Sequence, residues 1–211
     1  MSNSTVLHKE ILTKEQIKLL PFLTKFSRDF GLVGGTAVAL HLGHRRSLDF
    51  NLFSSKKFGN QAILNRILEF QQFDKIIVNK LDELTLEIAG IKFTFFRYPF
   101  EVDYGRDFEG IIKMPDLLTL AAMKAFALGM RAKWKDYVDL YFIIKNHLSI
   151  SEIAQKGDLI FSHRFNEKLF RSQLGYFEGI DYQEAIEFLP GFDVSEEQIK
   201  KELTEFSIKL S

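Results

Sequence analysis

Residues 33–53, VGGTAVALHLGHRRSLDFNLF, contain the side chains best suited to chemistry. Gly34 and Gly35 end a short apolar run, and Thr36 begins a stretch typical of a helix. A helix that starts there leaves free backbone N–H groups, which favour phosphate together with the helix dipole. The paired glycines let a ligand approach closely, and the Thr36 hydroxyl can donate to a phosphate oxygen. The same residues also fit an ordinary tight turn with Thr36 as a helix cap.

Asp49 and Asn51 stand two residues apart on a predicted strand, so both side chains point to one face. Carboxylate and amide oxygens close to a phosphate-binding turn suit Mg²⁺, which takes carboxylates plus substrate phosphates. A metal held there would bridge the phosphates of a nucleotide and offset the charge that develops during transfer. The pattern therefore favours a nucleotide and Mg²⁺ site, with Asp49 and Asn51 as metal ligands.

The composition of the 211 residues narrows the class of protein further. The chain has no cysteine, which excludes disulfides, thiolate metal sites and cysteine nucleophiles. It has no apolar run of about 18 residues and no signal-peptide pattern, so we expect a soluble cytoplasmic protein without a membrane partner. The 28 basic and 28 acidic residues cancel, but residues 150–211 hold 12 acidic and 7 basic ones. Residues 150–211 therefore have a net charge of −5, and residues 1–149 have a net charge of +5.

Hydrophobic spacing predicts the elements that must position these residues. Thr13 is predicted to cap a first helix with Gln16 three residues on, and Pro21 to kink that helix. Helices are also predicted over residues 36–42, 61–70, 116–130 and 136–146, and strands over residues 31–35, 47–53, 75–79, 85–89 and 91–97. The dipeptide Ala89-Gly90 indicates a hairpin. After residue 146 the chain reads as short helices.

This order of elements predicts an α/β (α+β) fold, in which a mixed sheet with flanking helices precedes an all-helical part. We expect two regions. Residues 1–112 would form the α/β core with its N-terminal helix, and residues 113–211 would form the helical C-terminal region.

The stretch resembles the signature of the nucleotidyltransferase superfamily with a DNA polymerase β-like core, and most closely its AbiEii/AbiGii toxin group. That group has a glycine pair with Thr, a short Ala/Leu helix, Gly-His-Arg, a Ser, and then Asp-x-Asp-Leu-Phe. The matching residues here are Gly34, Gly35, Thr36, Gly43, His44, Arg45, Ser47, Asp49, Leu52 and Phe53. The resemblance implies a nucleotidyltransferase-like sheet and a toxin of abortive-infection or toxin–antitoxin type, with a cognate antitoxin protein as a partner.

A second resemblance lies in residues 117–144, where the group has a Lys on one helix, a basic turn and then Asp-x-x-Asp-Leu. The matching residues are Lys124, Arg131, Lys133, Asp136 and Asp139. The resemblance implies that Lys124 contacts nucleotide phosphate and that an Asp of this motif activates the acceptor. We therefore expect the catalytic residues to be Asp49, Asn51 and Asp139, and the nucleotide-binding residues to be Gly34, Gly35, Thr36, Arg45, Ser47 and Lys124.

The implied reaction moves a nucleoside monophosphate from an NTP to a hydroxyl of an RNA end or a protein, with Mg²⁺ as cofactor. The chain departs from the family pattern at Asn51, where the family has Asp, and a neutral amide oxygen weakens metal binding. The third acid of the superfamily is missing from predicted strand 91–97, and Glu87 and Asp103 are the nearest acids. The alternative is a catalytically degenerate relative that binds nucleotide or a partner protein. A third hypothesis is a small-molecule nucleotidyltransferase of the antibiotic-modifying kind.

Overall fold

The computed structural model of this chain describes residues 6–209, and their first half builds a five-stranded mixed sheet. The elements of this half are α1 (Lys14–Leu23), β1 (Gly31–Val33), α2 (Gly34–Leu42), β2 (Phe50–Ser54), α3 (Asn60–Leu68), β3 (Lys75–Lys80), β4 (Glu83–Ile88), β5 (Ile91–Arg97), β6 (Arg106–Phe108) and β7 (Ile112–Met114). The strand order is β1-β2-β5-β4-β3, and β6 and β7 form a separate two-stranded ladder.

One face of the five-stranded sheet is apolar and packs against α1 and the turn that follows it. The ring centroids of Phe93 and Phe95 on β5 lie 5.3 Å from Phe22 and 4.8 Å from Phe26, respectively. Successive side chains of a strand point to opposite faces, so the residues between these rings face the other way. Phenylalanine thus fills one side of the sheet, and the other side carries polar residues together with Phe53 and Phe96.

The strand register arranges those polar residues in rows. β2 pairs in parallel with β5, where Asn51 faces Thr94, and β5 pairs antiparallel with β4, where Thr94 faces Thr85. Paired residues of neighbouring strands point to the same face. Asn51, Thr94 and Thr85 therefore form one row across the polar face of three strands.

The second half supplies the helices α4 (Leu117–Leu128), α5 (Trp134–Asn146), α6 (Ile150–Phe161), α7 (Glu167–Leu174) and α8 (Glu196–Ile208). Within the described residues, the stretch 175–194 contains no helix, so the predicted all-helical C-terminal part is interrupted. We call residues 175–194 the bridging segment. It bonds back to the chain at two places: Asp181 N donates to the Ala132 carbonyl at 2.8 Å, and Arg46 N donates to the Glu187 carbonyl at 2.9 Å.

Local signals identified most of these elements, and tertiary contacts moved some of their ends. Thr13 and Gln16 form the predicted capping box of α1. β2 begins at Phe50, three residues later than predicted, since the carbonyl of Ser47 accepts a hydrogen bond from the Gln16 side chain instead of a sheet partner. The β6–β7 ladder was not predicted, and the expected division at residue 112 falls inside β7. None of the helices in residues 6–209 is long and apolar enough to cross a bilayer.

Candidate active site

A cleft of about 500 Å³ lies between the polar face of the sheet and the region of α4 and α5. Asp49 and Asn51 from the β2 side and Lys92 and Thr94 from β5 line its floor. Five cationic and four acidic side chains line the cleft, which are Lys92, Lys124, Arg131, Lys133 and Lys135 against Asp49, Glu83, Asp136 and Glu184. A concave site where charged groups converge is the usual form of an active site.

The N-terminus of α2 opens into this cleft. Gly34 has a φ of +76°, a left-handed conformation that favours glycine, and a Cβ there would lie 2.8 Å from Asn51 Nδ2. A Cβ on Gly35 would lie 2.7 Å from Arg45 Nη2. Val33 precedes the helix, and its apolar side chain cannot cap the first N–H groups. Those groups, at the positive end of the helix dipole, are suited to hold a phosphate.

Thr36 and Ser47 lie behind the cleft floor. The buried Thr36 hydroxyl lies 3.0 Å from Ser47 Oγ and donates to the backbone carbonyl of Asp49. Gln16 Nε2 donates to the Ser47 carbonyl at 2.8 Å. These bonds fix the segment that brings Asp49 to the cleft. Neither Thr36 nor Ser47 lines the cleft, and the nucleotide contact expected of them stays a prediction.

Asp139 is the centre of a buried ion cluster behind the cleft, formed with Arg45, His44 and Lys124. Arg45 donates from Nε and Nη2 to the two carboxylate oxygens at 2.7 and 2.9 Å. His44 Nε2 lies 2.8 Å from Oδ1, and Lys124 Nζ lies 2.7 Å from Oδ2. Asp139 is fully buried and Arg45 is 3% exposed. Neither side chain lines the cleft, and their contacts are those of an internal charge network, while the catalytic role of Asp139 and the nucleotide contact of Arg45 stay predictions.

The pKa values of this cluster follow from its charges. Burial alone would raise the pKa of Asp139, but the charges of Arg45 and Lys124 and the bond from His44 hold it well below its ordinary value. Burial lowers the pKa of His44 despite the neighbouring carboxylate, so the ring is neutral at pH 7 and Nε2 carries the proton that it donates. The cluster is thus one carboxylate held by two permanent cations and one neutral donor.

Lys124 and Asp136 connect this cluster to the cleft. Lys124 Nζ lies 2.5 Å from Asp136 Oδ1, and both side chains line the cleft. Asp136 Oδ2 is buried and has no hydrogen-bond partner among the described residues, and Arg131 Nε lies 3.7 Å from it. Burial lowers the pKa of Lys124, but Asp136 and Asp139 outweigh it and raise the value. Asp136 therefore has a buried carboxylate oxygen without a hydrogen bond beside a charged lysine.

Two lysines whose position beside Asp49 was not predicted from the sequence lie close to its carboxylate. Lys92 Nζ lies 2.8 Å from Asp49 Oδ2, and Lys135 Nζ lies 3.8 Å from the same oxygen. Burial lowers the pKa of Lys135, although Glu184 and Asp49 act in the opposite direction. Lys92 could have been found from the sequence only with the parallel pairing of β2 and β5, because 42 residues lie between Asp49 and Lys92 in the chain.

The side chains around Asp49 offer few oxygen ligands for the Mg²⁺ that the resemblance implies. Asp49 is the single carboxylate of the predicted ligand pair, and its Oδ2 is already paired with Lys92. Glu87 pairs with Lys75 at 3.2 Å, and neither Glu87 nor Asp103 lines the cleft. Among residues 6–209, no group of three or more His, Cys, Asp or Glu side chains could hold a metal ion. In this arrangement the side chains do not fit a resident divalent cation.

Comparison with known proteins decides the family. Residues 23–207 match the profile of the family described as nucleotidyl transferase AbiEii toxin, type IV toxin–antitoxin system. The chain belongs to the AbiEii family. An uncharacterized protein of Aquifex aeolicus is 28% identical over 205 residues, which cover 92% of this chain and 97% of that protein.

Two solved structures resemble the fold of this AbiEii-family chain. One is MenT4, a nucleotidyltransferase toxin of Mycobacterium tuberculosis, with a TM-score of 0.56, 12% identity and coverage of 92% of this chain and 83% of that one. The other is JHP933 of Helicobacter pylori, with a TM-score of 0.53, 15% identity and coverage of 98% and 91%. At such low identity these likenesses concern the fold alone, and they agree with the mixed sheet and its flanking helices.

The bridging segment adds an acidic residue to the cleft of this AbiEii-family chain. Glu184 pairs with Lys133 at 3.0 Å and contacts the Lys135 ammonium closely. Burial would raise the pKa of Glu184, but these two lysines lower it to about 2. The carboxylate is therefore charged at neutral pH and sits where a bound anion would meet the same two lysines.

Proposed function

We propose that this chain is a nucleotidyltransferase toxin that moves a nucleoside monophosphate from an NTP to a hydroxyl acceptor on an RNA end or a protein. One observation carries the proposal. The N-terminus of α2 at Gly34 and Gly35, the Lys124 side chain and Asp136, whose Oδ2 has no hydrogen-bond partner among the described residues, converge on one cleft. A phosphate-binding turn, a cation and an unoccupied base are the parts that phosphoryl transfer requires.

The phosphate chain would lie along the cationic end of the cleft. The N–H groups at Gly34 and Gly35 would donate to its oxygens, and Lys124 would offset the negative charge that grows on the leaving group. Lys124 stays charged because two carboxylates flank it, at 2.5 and 2.7 Å. Asp139 and Arg45 would act through Lys124, since they hold its ammonium in place without touching the substrate.

Transfer would be a single displacement at the α-phosphorus. The acceptor hydroxyl oxygen forms a bond to phosphorus, and the bond from phosphorus to the oxygen that bridges to the β-phosphate breaks. Pyrophosphate leaves with that electron pair, and the hydroxyl proton passes to Asp136 Oδ2. This assignment replaces Asp139 with Asp136 as the base, because Asp136 lines the cleft and has an oxygen without a hydrogen-bond partner in the described chain.

The apolar end of the cleft would receive the nucleobase or part of the acceptor. Phe53 and Phe96 continue the floor beyond Asn51 and Thr94, and their ring centroids lie 5.2 Å apart. Met123, Phe126 and Met130 face them from the region of α4. Flat apolar rings beside a cationic end suit a ligand with a base at one end and phosphates at the other.

A second candidate is a degenerate relative that binds nucleotide without turnover. The observation that favours it is the Asp49 site, where Asn51 stands in place of the second acid and Lys92 pairs with Oδ2 of the remaining one. Mg²⁺ enters the first proposal only as the ion that accompanies NTP in solution. The family also suggests a cognate antitoxin protein that counteracts this chain in the cytoplasm, and we include that partner in the proposal.

Label transfer from α-³²P-labelled NTPs tests the proposal directly. The chain is incubated with each of the four NTPs and with total cellular RNA or protein, and label in the acceptor is measured on gels. Asp136→Asn is expected to reduce transfer at least about 100-fold, as for loss of a general base. Asp158→Asn, at an exposed position on α6, is the matched control and should leave transfer unchanged.

Each result assigns the function differently. Nucleotide binding without transfer to any acceptor would favour the second candidate. Full transfer by Asp136→Asn would reject Asp136 as the base.

A further inference from the structure

The Asp49–Lys92 pair is fixed by the backbone of the sheet. Phe50 faces Phe93 in the parallel ladder of β2 and β5, so Asp49 and Lys92 lie side by side one step earlier, on the polar face. Lys92 Nζ is 2.8 Å from Asp49 Oδ2, and the Lys92 side chain is 38% exposed toward the cleft. A positive charge thus stands directly beside the carboxylate at which the family resemblance implies a metal.

This arrangement opposes a divalent cation and favours an anion. Mg²⁺ demands close to six oxygen ligands at about 2.0–2.1 Å, and the floor offers one carboxylate and one neutral amide. A metal on Asp49 would lie within a few ångströms of Lys92 and Lys135, which both approach its Oδ2 and whose charges repel a cation. A phosphate group would instead be attracted by both ammonium groups.

We propose that this cleft binds a triphosphate chain without a divalent metal, with the Lys92 ammonium beside Asp49 taking the place of the cation. That the ligand is a nucleotide rests on the proposed function. That it carries several phosphates is inferred from the lysines alone. Lys92, Lys133 and Lys135 supply the positive charge. Glu184 forms ion pairs with Lys133 and Lys135, and the phosphates would replace it as the partner of both lysines.

Titration calorimetry with inorganic triphosphate and with ATP tests this proposal on the unmodified full chain. Each ligand is titrated once with EDTA and once with Mg²⁺. We expect both ligands to bind in EDTA with an affinity within about threefold of that in Mg²⁺. Lys92→Gln should weaken binding in EDTA at least about tenfold, and Lys113→Gln, an exposed lysine on β7, should leave it unchanged.

A direct measurement of metal binding complements the titration. Mn²⁺ binding to the protein without nucleotide is followed by the loss of its free electron paramagnetic resonance signal. The wild-type chain is expected to leave the signal unchanged at millimolar Mn²⁺. The double variant Asn51→Asp with Lys92→Glu would place three carboxylates on the floor and is expected to bind Mn²⁺ at least about tenfold more tightly. Thermal melting establishes that each variant is folded.

The outcomes separate this inference from the proposed function. Binding that requires Mg²⁺ would overturn the inference and leave nucleotide transfer intact. Binding of inorganic triphosphate but not ATP in EDTA would support the cationic site and reject the nucleotide as ligand. Failure of both ligands to bind in EDTA, or tight Mn²⁺ binding by the wild-type chain, would overturn the inference.

Discussion

Replacing Asp139 with asparagine should destabilise the protein strongly while leaving the cleft wall in place. The carboxylate is fully buried and accepts two hydrogen bonds from Arg45 at 2.7 and 2.9 Å. Asparagine has nearly the same size, but it removes the negative charge and turns an amide N–H toward the guanidinium. Arg45 would then be a buried cation without its principal counter-charge.

The magnitude follows from which charges lose their partner. Lys124 keeps Asp136 at 2.5 Å, so Arg45 is the group left uncompensated. Removing one partner of a buried ion pair costs about 3–5 kcal/mol. For a chain of this length, that loss lowers the melting temperature by roughly 6–20 °C.

Urea unfolding followed by circular dichroism measures this loss, and Asp136→Asn is the matched comparison. Lys124 retains Asp139 in that variant, so we expect a smaller loss of about 1.5–3 kcal/mol. Activity should show the reverse order, because only Asp136 lines the cleft. A free energy of unfolding for Asp139→Asn within about 1 kcal/mol of wild type would refute the view of Asp139 as the centre of a buried charge network.

Other perturbations address the cleft. Gly34→Ala places a side chain on a backbone with φ +76°, so it should lower the free energy of unfolding in urea by about 1–2 kcal/mol and weaken triphosphate binding in calorimetry. Unchanged binding would show that the turn at the start of α2 does not contact the phosphates. Glu184→Gln should tighten triphosphate binding about threefold to tenfold, because Lys133 and Lys135 become free, and weaker binding would contradict this role. The pKa of Glu184 is about 2 against an ordinary 4.5, so its ion pairs stabilise the fold above pH 4.5 and lose that effect as pH falls toward 2. Urea unfolding from pH 6 to 2.5 should show the wild-type advantage over Glu184→Gln shrinking in that window, whereas a constant advantage would argue against the ion pairs.

Local sequence signals predicted the elements well because each depends on residues close in the chain. The capping box at Thr13, the glycine turn at Gly34 and the hairpin at Ala89-Gly90 are all set within a few residues, and both hairpin residues have positive φ. The mixed sheet with flanking helices followed from their order. The ends of β2 did not, since side chains from distant helices bind the carbonyls before Phe50.

The sequence identified the residues of the cleft less completely than it identified the helices and strands. The glycine pair, Asp49, Asn51 and Lys124 all line one cleft, as their spacing and family match suggested. Asp139 and Arg45 looked equally eligible in the sequence, but burial assigns them to the interior.

Other features of the site depend on contacts that no local pattern encodes. Lys92 became visible only through strand pairing, and Glu184 only through the path of the bridging segment. The acidic region 150–211 therefore contributes to the cleft through Glu184, which pairs with Lys133 and Lys135.

A crystal structure of the chain with a non-hydrolysable α,β-methylene NTP analogue, grown in EDTA, tests the central claim most directly. We expect the phosphate chain to lie between the N-terminus of α2 and the Lys92 and Lys135 ammonium groups, with Asp136 facing the α-phosphate. Glu184 would be displaced from its lysines. An analogue bound outside this cleft, or phosphates that leave Lys92 in its pair with Asp49 and contact neither lysine, would contradict it.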